Sequence, residues 1–256
     1  MIKIEHPVFP SPEQMNFVIE GMRNPMNSWD KSDSVGDCTH IDELTCNICR
    51  SNMDYKPNCV TNKFALGEND ESLMMRLAKA GTDHRKYLRM MQVGVRITAP
   101  LYFYKELDTY KVGTVCNSCS TMHKIQAKEF TLDDFSCEHL VEDNDIHEDI
   151  SVPDGEEYIY YAPKDILQEW IIPSLNKCRN VFLDTKNKVW WWQMIQLLPS
   201  SYNQTRNYTF TYENLINMYF ARKNHKLDEW REFCQWMLDN VPYFKGIIEY
   251  IERKDK

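Results

Sequence analysis

The chain has 256 residues, the size of one ordinary domain or two small ones, and its 30 Lys and Arg against 38 Asp and Glu leave a formal charge of −8. That balance excludes a general DNA or RNA binder, which needs clustered cations to displace phosphate counterions. At 43% hydrophobic and 12% aromatic the chain can bury a core, which excludes wholesale disorder, while no apolar run approaches the roughly 18 residues of a membrane span.

Residues 1–7 have neither the charged start nor the apolar block of a secretory signal, so a soluble cytoplasmic protein is expected. Residues 11–23 predict a helix, with Ser11 as N-cap, Pro12 in the first turn and Gly21 as a possible terminator. Residues 24–68 are rich in Asn, Asp, Ser and Cys and read as an excursion. Four of the nine cysteines fall there, Cys38, Cys46, Cys49 and Cys59. The two-residue gap between Cys46 and Cys49 is that of paired thiolates on one tetrahedral zinc. The outer spacings are irregular for a zinc ribbon, so the region reads either as a structural zinc site or as a loop of reduced thiols. An odd cysteine count without a signal does not suggest a secreted disulfide scaffold.

Helix returns over residues 70–81, closed by Gly81. Residues 91–98 predict a strand, with Val93, Val95 and Ile97 on one face. Ala99-Pro100 opens an aromatic-rich helix over 101–111, and residues 112–123 read as a loop of small hydroxyl, amide and thiol residues. Residues 138–157 form an acidic excursion, read as a solvated loop because a cation site needs tighter ligand spacing. A helix is expected over 164–183, which Pro173 either breaks or shapes. Another carries Trp190, Trp191 and Trp192 and stops at Pro199. Helices over 212–223, 226–238 and 244–253 complete the chain. The expected class is α+β, mostly helical with a small antiparallel sheet. Residues 1–256 read as one domain carrying excursions at 38–59 and 138–157.

No phosphate-binding glycine loop, nucleotide-binding glycine fingerprint or nucleophile elbow occurs. Two polar constellations remain, one from His84 through Lys111 to His123, the other from Leu198 to Arg206 followed by Asn217, Arg222, His225 and Glu229. Arg222 presents a planar fork of donors suited to a carbonyl, an imide edge or a phosphate. At the C-terminal end of a helix it also complements the dipole, which is a purely structural role.

At these constellations the sequence resembles the flavin-dependent thymidylate synthases. The resemblance rests on Lys79-Ala80-Gly81, His84, the strand to Pro100 and the following helix, then Leu198-Pro199, Asn217, Arg222, His225 and Glu229-Trp230, in the family's order. The family's Arg-His-Arg signature is replaced: Lys111 alone keeps a cation, while Asn117 and Ser120 keep their places. Met122 and Ile195 stand where the family has Arg, Glu106 where it has Gln, and Thr211-Tyr212-Glu213 where its Asn-x-Arg contacts flavin.

The resemblance implies a mostly helical fold and a divergent enzyme that binds FAD and a dUMP-like pyrimidine nucleotide. It would catalyse reductive methylation or a related one-carbon modification, with NADPH and methylenetetrahydrofolate as co-substrates. Arg222 is implied at the pyrimidine, Asn217 and His84 at the flavin, and Ser120, Asn117 and Lys111 around the nucleotide, Lys111 also toward the flavin. Arg222 and His84 would carry the chemistry. Lost Arg positions would have to be replaced by Lys105, Lys111, Lys124 or Arg206, and Glu106 and Glu213 would oppose a phosphate. A homotetramer is implied as well. The alternative is an inactive relative that only binds a nucleotide or a protein partner.

Overall fold

The computed structural model describes residues 2–36, 64–142, 150–154 and 157–253. The four cysteines proposed for zinc, Cys38, Cys46, Cys49 and Cys59, lie outside them. The α+β class holds: helices predominate, with one four-stranded sheet and two antiparallel two-stranded sheets among the described residues.

Strand β1 (Lys3–Val8) leads into helix α1 (Pro12–Arg23). Pro7 hides β1 from a sequence reading, and the edge place of the strand is where a missing N–H is tolerated. At α1, Ser11 Oγ accepts the Gln14 N–H at 3.3 Å while Gln14 Oε1 accepts the Ser11 N–H at 2.9 Å, so two orphan donors are satisfied reciprocally. Met15, Val18, Ile19 and Met22 form its buried stripe.

Short 3₁₀ turns at Asn24–Met26 and Trp29–Lys31 follow, then strands β2 (Val35–Gly36) and β3 (Phe64–Ala65) and helix α2 (Glu68–Lys79). Strand β4 (Gln92–Pro100) buries Val93, Val95 and Ile97 as its alternation predicts. Helix α3 (Leu101–Leu107) is one turn shorter than expected. The expected loop at 112–123 instead holds strand β5 (Val115–Ser118) and a single helical turn, α4 (Thr121–Lys124). Every β5 residue is exposed, so no apolar alternation marks it. The end of the expected acidic loop holds strand β6 (Ile150–Asp154), paired antiparallel with β7 (Glu157–Tyr161), which runs beyond it.

The helix expected over 164–183 forms in three pieces: a turn at Pro163–Asp165, a π-helical stretch Ile166–Ile171, and helix α5 (Ile172–Thr185). A proline ring donates no hydrogen bond and crowds the carbonyl four residues back. The wider i→i+5 spacing just before Pro173 accommodates both effects. Helix α6 (Lys188–Leu197) carries the tryptophans. Strand β8 (Asn203–Thr211) is polar in composition, yet Gln204, Tyr208 and Phe210 alternate into the interior. Helices α7 (Tyr212–Arg222), α8 (Asp228–Asn240) and α9 (Phe244–Glu252) follow, within two residues of their expected bounds.

The four-stranded sheet runs in the order β1-β4-β8-β5, and by its contacts the chain divides into two compact units. The first unit contains Ile97–Thr109 and Asn117–Arg206. Its core gathers Phe130, Phe135, Leu175 and Met194, with Tyr202 edge-on to Phe130 at 6.2 Å and to Phe135 at 5.6 Å. The second contains Ile4–Arg96, Tyr110–Cys116 and the chain from Asn207. Trp230, Phe233 and Phe244 are fully buried in it, and Tyr212 Oη donates to the Pro242 carbonyl at 2.9 Å. No described helix is long and apolar enough to cross a membrane.

Candidate functional site

In the second unit the site is built on α7. Thr211 caps it: its Oγ1 accepts the Asn214 N–H at 3.2 Å, and Asn214 Oδ1 accepts the Thr211 N–H at 3.0 Å. Asn214 Nδ2 also donates to the Val112 carbonyl at 2.6 Å, tying the segment after α3 to the first turn of α7. Gly113 has φ +75°, and a Cβ there would stand 3.1 Å from Asn214 Oδ1, so this approach demands glycine.

Glu213 and Asn217 lie one turn apart on α7, and Arg85 bridges them. Its Nε is 3.1 and 2.9 Å from the two Glu213 carboxylate oxygens, and its Nη2 donates to Asn217 Oδ1 at 3.3 Å. Glu213, expected to repel a phosphate, is thus buried and neutralised by a cation that sequence reasoning passed over. His84, the residue singled out, is exposed, and its backbone N–H closes a turn on the Gly81 carbonyl at 3.0 Å.

At the other end of α7, Arg222 Nε donates to Tyr110 Oη at 3.0 Å. Its guanidinium carbon lies 5.0 Å from the Trp230 ring centre and 5.7 Å from that of Tyr110. Those two rings meet edge to face at 5.9 Å, and the His225 ring lies 6.3 Å from Trp230. Cation–π attraction at this range contributes about 0.5–2 kcal/mol and fixes the plane of the fork. Tyr110 is again the neighbour of the residue singled out, because Lys111 is exposed. Burial pushes the Cys234 thiol up to about 12, with Arg222 pulling in the opposite direction, so this thiol is no nucleophile.

In the first unit, Ser120 is the N-cap of α4, its Oγ accepting the His123 N–H at 3.2 Å, and Asn117 is exposed on β5. Gln204 Nε2 donates to the Cys119 carbonyl at 3.1 Å and to Thr121 Oγ1 at 2.8 Å. Arg206 donates through Nε to Gln204 Oε1 at 2.7 Å and through Nη1 to both Asp108 oxygens at 2.8 and 2.9 Å, and its guanidinium carbon stacks 3.9 Å above Tyr104. Arg206, a possible replacement for the missing phosphate arginines, is therefore committed to a carboxylate. Lys105 and Lys124 are exposed.

Of the residues singled out in the sequence, Arg222, Asn217, His84 and Lys111 belong to the second unit and Asn117 and Ser120 to the first. Arg222 and Asn217 share α7, while His84 and Lys111 sit beside the residues that make the contacts. Arg85 and Tyr110 had only a local signal, a cation and an aromatic next to the residues chosen. Among the described residues no group of three or more His, Cys, Asp or Glu is placed to hold a metal ion.

No family model matches the sequence, and no curated protein matches it. Solved structures do. One is the flavin-dependent thymidylate synthase ThyX from Helicobacter pylori complexed with FAD and dUMP, with a TM-score of 0.57 and 15% identity over 98% of this chain and 97% of that chain. Another structure of Helicobacter pylori ThyX with FAD and dUMP gives 0.57 and 13% identity over 98% and 99%. At such identities the likeness shows a common fold.

Proposed function

We propose that this chain is a divergent flavin-dependent thymidylate synthase-like enzyme, binding FAD and a dUMP-like pyrimidine deoxynucleotide for reductive methylation or a related one-carbon modification of the ring. The observation that carries this reading is Arg222, a guanidinium oriented by Tyr110 and Trp230 at the end of α7, in a fold whose solved counterparts hold FAD and dUMP. The donor set suits a carbonyl-rich ring edge: the exposed Asn217 amide is steadied by Arg85, and His84 is exposed next to it in sequence. Bound flavin supplies the redox chemistry of one-carbon transfer. The protein's part is electrostatic: Arg222 meets a pyrimidine carbonyl where negative charge develops, and a guanidinium already held in place needs little reorganisation to do so. Asn217, His84 and Lys111 would hold the flavin, and Ser120, Asn117 and Lys111 the nucleotide. NADPH, methylenetetrahydrofolate, a homotetramer and a one-domain organisation of residues 1–256 belong to the same proposal.

The second reading, a relative that binds without catalysis, draws on the pairing of cations with acids. Arg85 with Glu213 and Arg206 with Asp108 carry little net charge toward a phosphate. Two measurements separate the readings. The enzyme is expected to purify with, or take up, FAD, seen as the visible flavin absorption band; a colourless protein that takes up no added FAD overturns the enzyme. Arg222→Ala is expected to weaken dUMP binding by roughly 10- to 100-fold, the value of a charge-assisted hydrogen bond. Unchanged affinity overturns the role of Arg222 in both readings.

A further inference from the structure

A cleft of about 380 Å³ in the second unit lies between the 3₁₀ turns that follow α1 and one side of α2. Its walls are Arg23, Met26, Ser28, Lys31, Asn69, Leu73 and Arg76, which include three cations and no carboxylate. The placement follows from local structure. Arg23 ends α1, Lys31 ends the second 3₁₀ turn, and Asn69, Leu73 and Arg76 recur at helical spacing along one side of α2.

Arg23 is only 3% exposed. Its Nε is 2.5 Å from Asp70 Oδ1, and its Nη1 donates to the Ser28 carbonyl at 3.2 Å and to Ser28 Oγ at 3.3 Å. Ser28 is itself a wall of the cleft, so the fork end of the guanidinium is brought to that wall. The remaining nitrogen, Nη2, is buried without a hydrogen-bond partner among the described residues. A buried donor left unsatisfied destabilises a fold, and an incoming oxyanion is the group that completes it. Asp70 balances Arg23 alone, its other oxygen being taken up by Ser32, Ser34 and the Asp33 and Ser34 N–H groups. Lys31 and Arg76 therefore leave the walls with net positive charge, reduced by the neighbouring Asp33 carboxylate, which accepts the Asn69 and Asp70 N–H groups at 2.9 and 3.1 Å. Arg23 also borders a smaller cleft of about 270 Å³, but there it meets Glu20 and no second cation, which disfavours an anion.

We propose that the cleft walled by Arg23, Ser28, Lys31, Asn69 and Arg76 binds the phosphate group of a small phosphorylated ligand. Lys31 and Arg76 oppose the negative charge of a phosphate monoester, the unpartnered Nη2 of Arg23 and the guanidinium of Arg76 are donors to its oxygens, and Met26 and Leu73 receive the apolar part of the ligand.

The test is titration of the full-length protein with inorganic phosphate, followed by calorimetry and by broadening of the phosphate ³¹P resonance, with acetate in parallel. Saturable phosphate binding is expected, weakened at least roughly tenfold in the double variant Lys31→Gln, Arg76→Gln. Both substitutions are at exposed positions, so the variant is expected to keep the parent circular dichroism and unfolding midpoint. Arg222→Gln is expected to leave this binding intact, which separates it from the pyrimidine site. Absence of saturable binding, binding unaffected by the double variant, or acetate bound as tightly as phosphate would each overturn the proposal.

Discussion

Arg85 and Glu213 show how a single contact changes the meaning of a residue. In the sequence, Glu213 stands as an acid where a cation is expected; in the structure it is the buried half of an ion pair. Removing one partner of such a pair leaves a charge in a poorly solvated place. Arg85→Met is therefore expected to lower unfolding free energy by about 3–5 kcal/mol in urea titrations, and the double variant Arg85→Met, Glu213→Met to recover most of it. Asp70 makes a pH prediction. Burial alone would raise its pKa, but hydrogen bonds from Ser34, Ser32 and Arg23 outweigh burial and hold the carboxyl below the ordinary value of 3.8. The lowered folded pKa means that this stabilisation is complete above the ordinary value and is lost as pH falls through the folded one. Unfolding midpoints should thus drop on acidification below about pH 4, and Asp70→Asn, less stable at neutral pH, should show a shallower acid dependence. Thiols give a third residue-level test. Brief iodoacetamide treatment of the native protein should modify exposed Cys116 and Cys119 and spare Cys234, whose buried thiol stays protonated, as peptide mass spectrometry would read.

Elements follow local rules where their signals are local. The capping box at Ser11, the alternation of β4 and the apolar stripes of α7, α8 and α9 all occur where the pattern places them. Strands β1, β5 and β8 escape the same rules because pairing, and not their own composition, makes them strands. The N-cap of α7 carries more than helix stability, since Asn214 also holds the Val112 carbonyl beside Gly113. Thr211→Ala should cost about 1 kcal/mol in chemical unfolding. Because Tyr110 precedes that tethered segment, Thr211→Ala should also loosen the contact with Trp230. Near-ultraviolet circular dichroism would report that loosening, and a spectrum identical to the parent would mean the tether does not position Tyr110.

At the scale of the whole molecule, the charge of −8 and the pairing of cations with carboxylates belong together. A protein of this fold that met phosphate with several arginines would keep them clear of acids. Here Arg85 and Arg206 are each balanced, and the cation-rich walls in the second unit lie at Arg23, Lys31 and Arg76. The proposed homotetramer is testable by sedimentation equilibrium, which should return the mass of four 30.5 kDa chains if the assembly follows the proposal and one if it does not.

By itself the sequence determined the α+β class, most helix positions, a strand over 91–98 that the structure extends to Pro100, and the placing of Arg222 and Asn217 on one helix. These depend on periodicity and capping, which act over one to four turns of chain and are visible in a single sequence. The resemblance in residue order likewise led to the fold of the solved counterparts. Only the tertiary structure decided which neighbour makes each long-range contact: Arg85 in place of His84 and Tyr110 in place of Lys111. It also decided that Glu213 is neutralised and that Arg206 is spent on Asp108. Adjacent residues differ by a rotation about the chain that no composition records, and ion pairs join residues 98 or 128 positions apart. Side-chain direction and charge compensation are therefore properties of the packed chain, set when separated segments are brought within a few ångströms.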